Sequence, residues 1–278
     1  MTTAVFFLVL LGAALHAGWN AVIKRGADPL RSSVVVAIVA SVLAAAGLPF
    51  VEVPAPASWP FAAASVVLQG LYWVGVAESY RAGDMSRVYP LMRGTAPLIV
   101  ASVSITMFGD HLSPIAWGGV VTVSAGILAL SLAGPGRGEG RAIATAVATA
   151  VVIAGYTIVD GIGVRRSGSP IGYTLWIFVL TSPPLVAWTL WRRSAEFLRF
   201  ERRDLVLGLF GGFATLTSYG IALWAMTRAP VAVVASLRET SILFGTAIAV
   251  LMLKERVDRR RIAAVMVIAV GATLLRAA

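Results

Sequence analysis

The sequence predicts an all-α integral membrane protein with ten transmembrane helices, arranged as two inverted five-helix repeats. Three observations support this fold class: the composition, the spacing of the apolar runs and a match between the two halves of the chain. Of the 278 residues, 58% are hydrophobic and 13% are charged, with a mean hydropathy of +0.85. Soluble domains carry about 25% charged residues, so this chain has too little polar surface for a water-soluble globule.

Apolar runs of about 20 residues, the length that crosses the hydrocarbon core, recur along the whole chain. Short breaks rich in charge, glycine or proline separate them and mark the expected helix ends. The first run lacks a preceding positive charge, so it is expected to be a transmembrane helix and not a signal peptide. The ten predicted spans are residues 3–23, 32–50, 60–81, 87–108, 114–133, 142–164, 171–191, 205–227, 231–252 and 261–276.

The two halves of the chain match at a fixed offset. A glycine-rich break at 134–141 separates a predicted first repeat, residues 1–135, from a second, residues 141–278. Because each repeat holds an odd number of helices, the second enters the membrane in the opposite sense, as in many secondary transporters. The positions that match at an offset of 145 residues include Arg93 with Arg238, Gly75 with Gly220, Thr95 with Thr240 and Gly126 with Gly271.

The loop charges predict the orientation. All the loop lysines and arginines follow helices 1, 3, 5, 7 and 9, except Arg165, Arg166, Arg228 and Arg276. The positive-inside rule places the more basic side in the cytoplasm. We therefore expect a multi-pass protein of the cell inner membrane with both termini on the outer face.

Several function classes are disfavoured by the sequence. The net charge of +10 is spread between apolar segments and forms no basic patch with interleaved aromatics, so nucleic acid is not an expected partner. Without cysteine, the chain has no disulfide, thiolate metal site or cysteine nucleophile. Walker, His-Glu-x-x-His and Gly-x-Ser-x-Gly motifs are missing, which argues against an enzyme or an ATP-driven pump. We expect no cofactor and no metal; a structural subunit remains an alternative.

Charged residues interrupt two of the apolar runs, at Arg93 and at Arg238-Glu239. A charge at the bilayer centre costs about 2.5–3.5 kcal/mol, so such residues face a cavity or one another. Glu239 is interpreted as a site for a substrate ammonium or a proton, or as the partner of Arg93 or Arg238 in a neutralising salt bridge. The arginines suit a carboxylate, phosphate or phosphonate; alternatively they extend to the headgroups or pair with Glu239.

Polar and aromatic residues share one face of the first helix. His16, Trp19 and Asn20 have the spacing of a single helical face. Two interpretations are open. The face lines a cavity, with His16 titrating near neutral pH, or His16 and Asn20 hydrogen-bond to neighbouring helices.

Aromatic residues in other helices are candidate cavity-lining groups. Tyr72 and Trp73 lie too deep in the third span for the interfacial aromatic belt, and rings around a cation contribute about 0.5–2 kcal/mol each. Tyr89, one turn before Arg93, and Tyr219 are further candidates. Asp160 in the sixth span is expected to lie close enough to water to need no role.

Five segments carry a resemblance to a known family. They are "LHAGWNAVIKRGAD" (15–28), "YPLMRGTAP" (89–97), "YGIALWAMTRAP" (219–230), "LRETSILF" (237–244) and "LKER" (253–256). With them the chain resembles EamA-domain proteins of the drug/metabolite transporter superfamily, and within these a subgroup associated with phosphonate utilisation. The resemblance implies the ten-helix duplicated fold and transport of a small molecule. One departure is Gly109-Asp110-His111, where the family commonly has Gly-Glu-Arg.

The sequence thus predicts a secondary transporter that acts by alternating access through a central cavity. The expected substrate is a small polar metabolite such as an amino acid, an aminophosphonate or another zwitterion, exported or exchanged, with the proton as candidate coupling ion. The alternative is an importer of a quaternary amine or cationic drug through an aromatic-lined site. The expected partners are this small molecule and the lipid bilayer.

Overall fold

The regular structure of the described residues is entirely helical. The computed structural model describes residues 1–25, 29–109, 111–132, 140–192, 200–251, 254 and 258–278. The helices are α1 (Thr3–Arg25), α2 (Pro29–Gly47), α3 (Trp59–Ala82), α4 (Met85–Phe108), α5 (Pro114–Leu132), α6 (Gly140–Arg166), α7 (Pro170–Arg192), α8 (Arg202–Met226), α9 (Val231–Arg238), α10 (Ser241–Leu251) and α11 (Arg259–Ala277). Several parts of the chain discussed above lie outside the described residues, among them Asp110, most of the predicted break at 134–141, and Glu255 with Arg256.

Local sequence signals set several helix ends. Helices α2, α5 and α7 each begin at a proline, whose fixed φ and missing N–H suit the first helical position. Helix α8 begins with a capping box between Glu201 and Asp204. At α11, the Asp258 carboxylate accepts a hydrogen bond from the backbone N–H of Arg261 at 2.7 Å. These caps satisfy backbone N–H groups that the first turn of a helix leaves free.

Nine helical segments among the described residues are long and apolar enough to cross a membrane. One of them, Val231–Leu251, consists of α9 and α10 together. The tenth predicted span corresponds to α11, which has 19 residues but carries three arginines in its first turn and Arg276 in its last. The prediction of an all-α membrane protein is therefore confirmed, whereas α11 is less apolar than the other nine segments because of these terminal charges.

The ninth predicted span differs from expectation, because it is broken at Glu239 and Thr240. Around the break the backbone bonds shorten to three-residue steps, with the N–H of Thr240 donating to Leu237 O at 3.1 Å. The Thr240 hydroxyl also donates to that carbonyl oxygen, at 2.6 Å. A hydroxyl that competes for helix carbonyls favours such a local change, and three-residue steps within a helix are common at functional hinges.

Small residues bring several helices close together. A Cβ added at Gly126 of α5 would lie 2.8 Å from Cγ1 of Ile268 on α11. On α8, Gly208 and Gly212 face Val35 and Val39 of α2, the close contact that Gly-x-x-x-Gly spacing permits. Helices α4 and α9 contact each other, and every residue from Val231 to Leu237 is buried. The break after α9 therefore lies inside the bundle, beside α4.

Candidate functional site

A buried ion pair joins α4 to the break between α9 and α10. Nε of Arg93 lies 2.8 Å from Oε2 of Glu239, and the two residues are 6% and 5% exposed. Of the partners considered for Glu239, the structure selects Arg93. Arg238 instead places its guanidinium over the ring of Tyr219, 5.0 Å from the ring centroid. The pair neutralises both charges, which is what a low-dielectric environment requires.

The sequence around Arg93 explains its place in the bundle. A Cβ at the next residue, Gly94, would lie 2.8 Å from Cγ of Leu128, so glycine allows α4 to pack tightly on α5 at this level. Four residues after Arg93, Pro97 has no N–H to donate to the Arg93 carbonyl. The main-chain carbonyl group of Arg93 therefore lacks its usual helical donor.

Tyrosines surround the ion pair. Tyr72, Tyr89 and Tyr156 lie within electrostatic range of Arg93. The rings of Tyr72 and Tyr156 meet edge to face, with centroids 5.9 Å apart. Tyr72 and Tyr89 were singled out in the sequence, whereas Tyr156 was not among the candidates. Its signal was the similarity of Ala154-Gly155-Tyr156-Thr157 to the Trp19 segment of α1.

The polar face of α1 also reaches this region. His16 lies within electrostatic range of Arg93 and Arg238. Nε1 of Trp19 donates to Nδ1 of His16 at 3.2 Å, and Nδ2 of Asn20 donates to the His16 carbonyl at 2.7 Å. Nδ1 of His16 therefore acts as an acceptor in this arrangement. Within the described part of the chain, the hydrogen bonds of these side chains stay inside α1, so the bonds to neighbouring helices that were considered are not formed.

Trp73 is placed differently from Tyr72. Successive residues of a helix point about 100° apart. The ring of Trp73 contacts Tyr72 at a centroid distance of 5.7 Å, but the residue is 39% exposed. Of this predicted pair, only Tyr72 packs against the buried residues of α4 and α6, and it is itself partly buried.

Asp160 requires a correction to the expectation that it lies close to water. It is 0% exposed, because α3, α7 and α8 cover this part of α6. Its Oδ1 accepts from Oη of Tyr173 at 3.1 Å, and its Oδ2 accepts from Oη of Tyr219 at 2.5 Å. The Ser65 hydroxyl bonds to the same carboxylate. The position of Asp160 along the sixth span predicted its depth in the membrane. It could not predict which helices cover the residue.

Tyr219 connects the two buried carboxylates. Its hydroxyl donates to Asp160, while its ring face receives the guanidinium of Arg238, the neighbour of Glu239. A continuous set of polar contacts therefore runs from α7 through α6 and α8 to the helix break. The two clusters together hold two guanidinium groups and two carboxylates.

One end of the bundle is tied together near these clusters. Nε of Arg165 donates to the Met226 carbonyl at 2.8 Å, and its Nη2 donates to the Ala229 carbonyl at 3.1 Å. These bonds connect the end of α6 to the α8–α9 connection. A cavity of about 380 Å³ lies at this end, lined by Phe61, Met107, Ile162, Arg165 and Arg166. It is separate from the ion pair and lies toward the membrane surface.

No metal centre is found among the residues that the structure describes, which contain no group of three or more histidine and acidic ligands. The buried polar groups instead have the chemistry for binding a charged organic molecule. Guanidinium groups bind carboxylates and phosphonates, carboxylates bind ammonium groups, and tyrosine faces stabilise cations.

The fold and the buried charges define a multi-pass helical membrane protein with a polar centre. The family model of the EamA-like transporter family matches residues 140–277, from α6 to α11. A relative from Sinorhizobium sp., "Uncharacterized transporter in cobO 3'region", is 30% identical over 137 residues, which cover 45% of this chain and 95% of the relative. The chain belongs to the EamA-like transporter family. The resemblance to EamA-domain transporters is thereby confirmed, and with it a membrane protein that transports small molecules.

A solved structure described as "Crystal structure of protein" has the same fold. It matches with a TM-score of 0.76 and 16% sequence identity, covering 98% of this chain and 95% of that chain. At this identity the likeness concerns the fold alone.

Proposed function

We propose that this protein is a secondary transporter of a small zwitterionic metabolite, such as an amino acid or an aminophosphonate. The substrate binds at the Arg93–Glu239 pair and crosses the membrane by alternating access. The observation that carries the proposal is a buried ion pair, 2.8 Å long, located at a break in a transmembrane segment. Interrupted helices near the midplane form the substrate sites of many secondary transporters.

The proposed architecture is a pair of inverted repeats, residues 1–135 and 141–278, with α11 as the tenth span. Helix pairing supports it. In this arrangement α1 is equivalent to α6, α3 to α8, and α4 to α9 with α10. The contact of α1 with α8 then matches that of α6 with α3, and the contact of α4 with α6 matches that of α9 and α10 with α1. The pairs α2–α7 and α5–α11 each join helices that would be equivalent. The family match to residues 140–277 has nearly the bounds of the second repeat.

The ion pair suits a zwitterion because each half has a partner of opposite charge in the substrate. The Arg93 guanidinium binds the carboxylate or phosphonate in a two-pronged contact, and Glu239 binds the ammonium group. The Arg93 carbonyl, which Pro97 leaves without its helical donor, is a further acceptor for the ammonium. When the site is empty, Arg93 and Glu239 neutralise each other, so the carrier can change conformation without an uncompensated charge in the membrane.

The balance of buried charge favours a zwitterion over the alternative cationic substrate. The centre holds two guanidinium groups, of Arg93 and Arg238, and two carboxylates, of Glu239 and Asp160. A lone cation would add a net charge to this region, whereas a zwitterion adds none. The tyrosines around Arg93 then act on the ammonium end of the substrate by cation–π attraction.

The loop charges support a location in the cell inner membrane with both termini outside. Arg31, Arg81 and Arg141 lie at one end of the bundle and belong to the more basic set, whereas Arg165 and Arg228 lie at the other. On the positive-inside rule the first end is cytoplasmic.

Counterflow in proteoliposomes tests the proposed function. The vesicles are loaded with unlabelled amino acids, 2-aminoethylphosphonate, choline or phosphate, and uptake of the same labelled compound is measured. Flux of an amino acid or the aminophosphonate, lost in Glu239→Gln, is the expected result. Glu78→Gln is the matched control, because Glu78 also pairs with an arginine, Arg81 at 2.7 Å, but on an exposed helix face. Flux of choline alone, or flux unaffected by Glu239→Gln, would refute the proposal.

A further inference from the structure

Asp160 is a buried carboxylate that the proposed substrate site does not use. It is 0% exposed and lies in the unbroken helix α6. Among the described residues its contacts are hydrogen bonds from hydroxyl groups, and no basic side chain pairs with it. A buried carboxylate without a cationic partner is costly as an ion, and it can become neutral by taking up a proton.

The groups facing Asp160 come from four other helices and from α6 itself. The hydroxyl donors are Tyr173 of α7, Tyr219 of α8 and Ser65 of α3. Tyr156, one turn earlier in α6, and Arg238 of α9 lie within electrostatic range. The Arg238 guanidinium stacks on the Tyr219 ring, so it acts on Asp160 through space.

The local sequence is adapted to this network. A Cβ at Gly163, one turn after Asp160, would collide with the phenol oxygen of Tyr173 and with Phe61. Glycine at this position therefore lets the tyrosine of α7 reach the carboxylate of α6.

The network lies between the ion pair and one membrane surface. Asp160 is about 9 Å along the axis from the last residue of α6, at a rise of 1.5 Å per residue. Tyr173 lies in the first turn of α7, which begins at the same surface. Through Asp160, the hydroxyl bonds hold α6, α7 and α8 together on this side of the substrate site.

We propose that Asp160 binds the coupling proton, and that its ionised form keeps α6, α7 and α8 closed on this side of the membrane. The proton comes from the aqueous phase and adds to a carboxylate oxygen; no other covalent bond changes. The neutral acid is a weaker acceptor than the carboxylate, and its new O–H must itself donate, so the hydrogen bonds from the tyrosine hydroxyls weaken. The helices are then free to separate. This inference rests on the proposed function for its role in transport, but its test requires no substrate.

A single cysteine reports on this closure, since the natural chain has none. Thr157 is a suitable position, because it is 4% exposed and lies one turn closer to the ion pair than Asp160. A charged, membrane-impermeant maleimide is added to one face of right-side-out or inside-out vesicles carrying Thr157→Cys. The rate at which the maleimide labels the cysteine is divided by the labelling rate of the same variant unfolded in detergent at the same pH. This ratio removes the pH dependence of the thiol's own reactivity.

The expected result is labelling from the Asp160 side that rises about tenfold between neutral and mildly acidic pH, as for a minor state that becomes populated. In Asp160→Asn, whose amide resembles the protonated acid, labelling is fast at both pH values. In Tyr173→Phe, which keeps the carboxyl group but loses a donor, labelling at neutral pH increases and still depends on pH.

Labelling that does not change with pH in the parent, or that keeps the same pH dependence in Asp160→Asn, overturns the proposal. If Asp160→Asn does not fold, Tyr173→Phe and Tyr219→Phe test the proposal in its place. Labelling that is unchanged in both of these variants would also overturn the proposal. The labelling experiment uses only the maleimide and protons as probes. If no substrate showed counterflow, the proposed function would be refuted, but the labelling experiment would still test the role of Asp160.

Discussion

The two buried carboxylates of this protein, Glu239 and Asp160, have opposite surroundings. Glu239 has a guanidinium partner at 2.8 Å and lies at a helix break. Asp160 accepts bonds from neutral hydroxyl groups and lies within an intact helix. A charged partner holds a carboxylate in its ionised form, whereas hydroxyl donors also permit a neutral acid. The proposals above follow this difference, with the charged ligand placed at Glu239 and the proton at Asp160.

The difference also concerns what each group connects. Arg93 and Glu239 join α4 to the α9–α10 break, so a substrate that separates them acts on two helices from different halves of the chain. Asp160 joins α6 to its sequence neighbours α7 and α8 and to α3. The first contact is suited to binding and the second to closing one side of the bundle.

The largest effect is expected for Glu239→Gln. Removing one member of a buried, charge-assisted pair costs 2–5 kcal/mol or more, so counterflow should fall by at least about thirtyfold. Glu78→Gln should change it by less than about fivefold, since exposed pairs contribute about 0–1 kcal/mol. Normal flux in Glu239→Gln would place the substrate site elsewhere.

A second test separates the structural part of the ion pair from its role in transport. Glu239→Gln leaves the Arg93 guanidinium buried and unpaired, which should lower the free energy of unfolding by about 3 kcal/mol. The double variant Arg93→Gln with Glu239→Gln should recover most of this loss while remaining inactive. Unfolding of the purified protein and counterflow are measured side by side; a double variant that regains flux would show the pair to be purely structural.

Asp160→Asn should affect coupling more than exchange. Accumulation driven by a pH gradient is expected to disappear, because the amide cannot take up a proton; counterflow at a single pH is expected to fall by less, because the ion pair is intact. Both rates are measured in the same proteoliposome preparation, with Glu78→Gln as the control. Retained accumulation would assign the proton to another group.

The smallest effect is expected for Gly163→Ala. The added methyl group displaces the Tyr173 hydroxyl and removes one bond to Asp160, which should destabilise the protein by about 1 kcal/mol. Gly70→Ala is the matched control in another helix, because its Cβ would meet nothing within 4 Å. Thermal unfolding should show a lower midpoint for the first variant only, and equal midpoints would exclude the tight approach of Tyr173.

Much of the fold follows from the sequence. The predicted spans 60–81 and 114–133 agree with α3 and α5 to within a residue at each end. The break in the ninth span was not predicted, although Arg238, Glu239 and Thr240 interrupt the apolar run there, because polar residues also occur inside helices that stay intact. Hydrophobicity reports that a segment can lie in the membrane and says little about its hydrogen-bond pattern.

The site was partly predictable for a similar reason. Arg93 and Glu239 were identified because charge inside an apolar run is costly wherever the run packs. The environment of Asp160 depends on Tyr173, Tyr219 and Ser65, which come from three other helices. Single-helix patterns contain no information about those neighbours.

The sequence by itself determined that the chain forms apolar helices of membrane-crossing length and that its few buried charges need partners. Both follow from the free energy of moving residues from water into hydrocarbon, which depends on residue type alone. Only the tertiary structure decided that Arg93, and not Arg238, pairs with Glu239, and that tyrosine hydroxyls donate to Asp160 while the Arg238 guanidinium acts on it through space. Those choices depend on which helix faces meet, and packing across the whole bundle sets them.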